Sequence, residues 1–133
     1  MHPFQLDTID HVAIRVSNME ASAKWYAQVL GFQRATIPAW EPFPVFLLSG
    51  SFGIALFPAN EKDPVLPQRS LNIKIDHFAF RVHRSAFDQA LQHYEALGLT
   101  FVVKDHTYFL SVYTDDPDGH TVELTTPIKA LPD

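Results

Sequence analysis

Cysteine is absent from the 133 residues. No disulfide, thiolate nucleophile or cysteine-ligated zinc is therefore open to the chain, and any bound metal must be held by nitrogen and oxygen. Basic residues are scarce too. Ten Lys and Arg stand against fifteen Asp and Glu, a net charge of −5. That balance argues against nucleic acid or an anionic membrane surface as partner. No apolar run approaches the roughly 20 residues of a membrane-spanning helix. The segment Met1 to Asp7 lacks a basic stretch followed by an apolar one, so no secretion signal is expected and the cytoplasm is the expected location. Low-complexity tracts are missing. What is there, 47% hydrophobic and 19% charged residues, is the make-up of a globular protein with enough apolar material for a core. The length suits one domain, or two small modules sharing a core.

The chain repeats itself. Residues 9–16 read Ile-Asp-His-Val-Ala-Ile-Arg-Val, and residues 75–82 read Ile-Asp-His-Phe-Ala-Phe-Arg-Val. Six of these eight positions are identical and the two mismatches are apolar, which marks a duplicated unit of about 66 residues. The stretches immediately after the two copies also match. Ser17 and Glu20 have capping-box spacing, Met19, Ala23, Tyr26 and Leu30 recur at helical spacing, and Gly31 suits a helix C-terminus. In the second copy Ser85 is the expected cap, with Asp88 three residues on. Phe87, Ala90, Leu91, Tyr94 and Leu97 form the stripe, and Gly98 ends the helix.

Three short strands are expected after each helix, near 32–37, 45–49 and 53–57, then near 100–104, 108–114 and 120–126. Trp40 to Pro44 reads as a proline-broken loop. The expected fold class is α+β: one domain of two βαβββ modules, 7–58 and 74–127, joined by a linker at 59–73 and forming an open, barrel-like cleft.

The sharpest local signal is Asp116-Pro117-Asp118-Gly119, a tight turn feeding a strand from His120 to Thr126. Side chains alternate along a strand, so Val122 and Leu124 share one face and Thr121, Glu123 and Thr125 the other. The same rule puts Val12, Ile14 and Val16 under the first helix, with Ile9, His11, Ala13 and Arg15 facing away. In the second copy Phe78, Phe80 and Val82 face the helix, and His77, Ala79 and Arg81 do not. His11, His77 and Glu123 thus all lie opposite their helices. Two histidines and a carboxylate are the facial triad suited to Fe(II), and also to Mn(II), Zn(II) or Ni(II). A duplicated Ile-Asp-His is also what duplicated packing would leave, and a single strand histidine is more often structural. Alternation sends Asp10 and Asp76 to the opposite face, so they are not expected to support the ligands.

Over about residues 7–127 the chain resembles the vicinal oxygen chelate superfamily, which includes glyoxalase I, bleomycin-resistance proteins, fosfomycin-resistance enzymes and extradiol dioxygenases. Ile9-Asp-His11, Ile75-Asp-His77 and Asp116-Pro-Asp-Gly-His-Thr-Val-Glu123-Leu carry the resemblance. It implies His11, His77 and Glu123 as ligands of one divalent metal. It also puts Ala55, the counterpart of Glu123, where glyoxalase I has a carboxylate, so that assignment weakens and the site is left open. Extradiol dioxygenases imply a catalytic Tyr113 and His106; the plain alternatives are a lining aromatic and a solvated loop histidine. The acid–base histidine those enzymes place in the earlier module has no evident counterpart, since Phe46 and Leu48 occupy that neighbourhood. A fosfomycin-type activity shares the triad, but its basic anion-binding tail is not visible in Thr125 to Asp133.

Trp40, Phe46, Phe57, Phe109 and Ser111 are the expected cleft lining, which favours an aromatic or otherwise apolar substrate. Arg15 and Arg81 suit an anionic substrate group or a subunit interface. His2, His83, His93 and His120 are given no role. The expected function is a metal-dependent enzyme acting on a small substrate with vicinal oxygens. Extradiol ring cleavage and lyase or isomerase chemistry are both implied, and the rival is a non-catalytic drug-binding protein of bleomycin-resistance type. A homodimer with the site at the subunit interface is expected, because two modules leave sheet edges open to pairing.

Overall fold

The computed structural model describes residues 2–67 and 69–133 and divides into two compact units, Met1–Lys62 and Asp63–Asp133. In the first unit the elements run β1 (His11–Val16), α1 (Met19–Leu30), β2 (Gln33–Ala35), a short 3-10 turn (Pro38–Trp40), β3 (Val45–Ser49) and β4 (Phe52–Pro58). The sheet order is β1-β4-β3-β2, with β1 parallel to β4 and the other pairs antiparallel. The second unit repeats this as β5 (Phe78–Arg81), α2 (Arg84–Ala96), β6 (Phe101–Asp105), β7 (Phe109–Asp115) and β8 (Thr121–Pro127), in the order β5-β8-β7-β6. Each unit is therefore a mixed four-stranded sheet with one helix, and the fold class is α+β. Among the described residues no helix is long and apolar enough to cross a membrane.

Each sheet buries the face its helix covers. Ile14 and Val16 of β1 are buried with Tyr26 and Val29 of α1 and with Leu47, Ile54 and Leu56 of β3 and β4. Phe87 and Tyr94 of α2 do the same with Val112, Val122 and Leu124. Burying each such side chain is worth about 1.5–3 kcal/mol, so the apolar stripes bind helix to sheet.

The helix starts differ from expectation. Asn18, not Ser17, caps α1, and its side chain accepts from the Ala21 amide at 2.9 Å. One residue further on, the amide oxygen reaches the third helical N–H without strain. The cap residue of α2 is His83, which makes no side-chain capping bond, and Ser85 lies inside the helix. Gly31 closes α1 in the left-handed conformation at φ 77°, as its position requires.

Register confirms the duplication residue by residue. Ala13 pairs Ala55 in one unit and Ala79 pairs Glu123 in the other. Phe46 lies across from Ala55 as Tyr113 lies across from Glu123. Ala55 is thus the structural counterpart of Glu123, and Phe46 that of Tyr113.

Candidate functional site

In the second unit the turn before β8 is built by one side chain. Asp116 Oδ1 accepts from the backbone N–H groups of Asp118 and His120, each at 2.9 Å, while the Gly119 N–H donates to the Asp116 carbonyl at 3.0 Å. This fixes where β8 begins and hence which face receives Glu123. Glu123 is 8% exposed, and Ser111 of β7 donates its hydroxyl proton to Oε2 at 2.9 Å. Ser111 has then spent its donor, so in the Thr125 Oγ1–Ser111 Oγ bond at 2.9 Å Thr125 is the donor.

Oε1, the other oxygen of Glu123, stands 3.0 Å from Nε2 of His77. Asp76 Oδ2 lies 2.8 Å from Nδ1 of the same ring. In the first unit Asp10 Oδ2 lies 2.7 Å from Nδ1 of His11. The expectation that Asp10 and Asp76 turn away is therefore wrong. Strand alternation does not bind them, because β1 starts only at His11 and β5 only at Phe78. The hydrogen bond from His77 holds the Asp76 carboxyl below the usual carboxylate range.

Tyr113 lies across the ladder from Glu123, and its hydroxyl is 2.8 Å from His106 Nε2. Burial first, and then the Glu123 carboxylate, push the phenol above its ordinary value, so it stays protonated through neutral pH. His106 reaches Tyr113 from the β6–β7 turn, where its own N–H donates to the Phe109 carbonyl at 2.8 Å. Thr107 there has φ 72°, a left-handed conformation that costs a β-branched residue energy. Strain of this kind collects where a side chain has to be aimed. No sequence signal marked that turn, since neither Gly nor Asn occupies it.

Of the expected lining, Phe46 lies against His11, with ring centroids 5.5 Å apart, and Trp40 packs edge-on against Phe46 at 5.7 Å. Phe57 lies at the other end of β1, under the Arg15 guanidinium at 5.2 Å. Phe109 sits likewise 6.0 Å from Arg81. Ser111 is fully buried and exposes no surface to a ligand; it serves Glu123 instead. No pattern in the sequence pointed to the second unit's cations. A cavity of about 490 Å³ is lined by His77, Tyr113 and Thr121 together with Arg69, Lys74 and Lys104.

The donor chemistry of His77 and Glu123 suits a divalent ion. With Nδ1–H given to Asp76, Nε2 turns toward Oε1. Their 3.0 Å separation is an ion-pair or hydrogen-bond distance, and an imidazole nitrogen and a carboxylate oxygen are both donor types that would hold such an ion. Among the described residues no group of three or more His, Asp or Glu side chains is gathered as a metal cluster. His77 and Glu123 come together within the second unit; His11 belongs to the first.

A family model described as Glyoxalase/Bleomycin resistance protein/Dioxygenase superfamily matches residues 8–124. The chain is 29% identical over 119 residues to "Glutathione transferase FosA" of Serratia marcescens, covering 90% of this chain and 80% of that protein. It is 27% identical to "Metallothiol transferase FosB" of Staphylococcus saprophyticus, covering 91% and 78%. The crystal structure of a glyoxalase/dioxygenase from Nostoc punctiforme superposes with a TM-score of 0.81 at 22% identity, covering 97% of both chains, which is a likeness of fold. With the family model spanning both repeats and their motifs, the chain belongs to the Glyoxalase/Bleomycin resistance protein/Dioxygenase superfamily.

Proposed function

We propose that the protein is a divalent-metal-dependent enzyme acting on a small substrate with neighbouring oxygens and an acidic group. The observation that carries this is the His77 Nε2–Glu123 Oε1 separation of 3.0 Å, with Asp76 and Ser111 behind the two groups. His11 is the proposed third ligand, and Ala55 adds none. The ion would be Fe(II), Mn(II), Zn(II) or Ni(II), and its chemistry there is that of a Lewis acid on the substrate oxygens.

The protein's own groups do the rest. Ser111 and Thr125 hold Glu123 in one orientation. Tyr113, kept protonated, donates to the oxygen that gains charge, and His106 at 2.8 Å can return the proton. Arg69, Lys74 and Lys104 receive the acidic group. Phe46 beside His11, with Trp40 against it, offers apolar contact.

Transfer of a thiol to an electrophilic carbon is the reaction class favoured by the likeness to FosA and FosB. A carbon–sulfur bond forms, a carbon–oxygen bond breaks, and the released oxygen takes a proton that the thiol's own proton replaces. The chain has no cysteine, so the thiol is a co-substrate. The His106–Tyr113 hydrogen bond favours a second reading, extradiol cleavage of a catechol. A homodimer pairing His11 of one subunit with His77 and Glu123 of the other is part of the proposal.

The test is metal content of wild type and Glu123→Ala after reconstitution with each of the four ions, then thiol consumption with small acidic electrophiles and oxygen uptake with catechols. Metal in the wild type alone, with thiol consumed, is the expected result. Oxygen uptake without thiol transfer selects the second reading. Near-zero metal in both proteins would overturn the enzyme and leave a binding protein.

A further inference from the structure

We infer that Asp10 and Asp76 are positioning residues that choose which ring nitrogen each histidine presents. The same contact is built twice, 66 residues apart: Oδ2 to Nδ1 at 2.7 Å for Asp10–His11 and 2.8 Å for Asp76–His77. A carboxylate accepts only, so Nδ1 must carry the proton in both rings. In His11 this leaves Nε2 as the nitrogen open to a ligand; in His77 Nε2 faces the Glu123 carboxylate, a second acceptor at 3.0 Å, so there Asp76 sets the ring's orientation and the choice of tautomer is read at His11.

Stability does not account for the pairs. The side chains of Asp10 and Asp76 are 83% and 69% exposed, and exposed pairs of this kind add little to folding. Neither carboxylate fills a core position. What an adjacent Asp-His contact does is lock ring rotation and tautomer at the point where the chain enters the strand. Without it an imidazole is free to present either nitrogen. The role toward a metal rests on the proposed function; the choice of tautomer stands without it.

The experiment has a metal-free arm and a metal arm. Long-range proton–nitrogen NMR of the metal-free protein should show His11 protonated at Nδ1. In Asp10→Ala it should move toward the Nε2-protonated form, and Asp10→Asn, whose side-chain oxygen still accepts, should restore it. Chelator competition with Zn(II) should show about a 10- to 100-fold loss of affinity in Asp10→Ala and Asp76→Ala, recovered largely in the Asn variants. Unchanged melting temperatures establish that the variants fold. Nε2-protonated His11 in the wild type would overturn the inference outright. Tight wild-type binding with unchanged affinity in the Ala variants would overturn the positioning role while leaving the enzyme reading intact. No uptake of Zn(II), Fe(II), Mn(II) or Ni(II) by the wild type would defeat the enzyme reading, and the role toward metal with it, whatever the NMR shows.

Discussion

Tyr113 and Glu123 face one another across β7 and β8, yet each has its own support: His106 for the phenol, Ser111 for the carboxylate. That separation makes the two residues distinguishable by mutation. Tyr113→Phe removes only the hydroxyl and leaves the hydrogen bond from Ser111 to Glu123 in place. It should keep metal uptake at the wild-type level and lower kcat by about 100-fold, the ordinary range for losing a proton donor. Full activity in Tyr113→Phe would reduce the phenol to a lining aromatic. Glu123→Ala should instead lose metal and activity together. The residue is turned away from the apolar face that α2 covers, so its far-UV circular dichroism should match the wild type.

At the scale of the element, close packing sets the sensitive positions. A Cβ built on Gly53 of β4 would lie 2.6 Å from the Leu47 carbonyl oxygen and 2.7 Å from the Phe46 ring. Gly53 pairs with His11, so the missing side chain is what lets Phe46 lie beside that histidine. Gly53→Ala should cost about 1–3 kcal/mol, read as a lowered urea midpoint, because a backbone atom and a ring must both move. On α2, Tyr94 is 1% exposed and its hydroxyl has no hydrogen-bond partner among the described residues. Burial pushes its pKa up to about 12. The folded value lies above the unfolded value near 10, so this contribution is complete below pH 10 and is lost as pH rises toward 12. A shift of that size corresponds to about 2–3 kcal/mol of alkaline destabilisation. Tyr94→Phe should gain about 1 kcal/mol at pH 7 and flatten the alkaline limb, measured by urea melts from pH 8 to 12.

For the whole molecule the question is where the proposed third ligand comes from. Ile73, Leu71 and Val65 are almost fully exposed, and Leu6, Ile9 and Ile75 largely so, which is apolar surface of the kind that association covers. His11→Ala and Glu123→Ala should each be inactive alone. Mixed after mild unfolding and refolding, they should recover about a quarter of wild-type activity. Half the dimers are then mixed, and each of those holds one complete site. No recovery would place all three ligands on one chain. Sedimentation of the wild type as a strict monomer at micromolar concentration, with full metal uptake, would lead to the same conclusion.

The repeated Ile-Asp-His segment, the two apolar stripes and Gly31 were enough to read two βαβββ modules, because local periodicity and turn chemistry need no distant partner. Alternation was enough to put Glu123 and Tyr113 together on one face of their sheet, since a strand in register has only two faces. Alternation failed at Asp10 and Asp76, which lie just outside the strands, where the backbone is free to turn a carboxylate onto the neighbouring ring. It also could not tell that Ser111 is buried beneath Glu123, for facing away from a helix does not fix depth. The helix caps moved by one or two residues because several polar side chains competed for them, and geometry chose. The contact of His106 with Tyr113 and the gathering of Arg69, Lys74 and Lys104 around His77 join residues up to 35 positions apart in the chain. Only the folded second unit decided those, because such neighbours are set by how strands and loops pack and leave no period in the sequence.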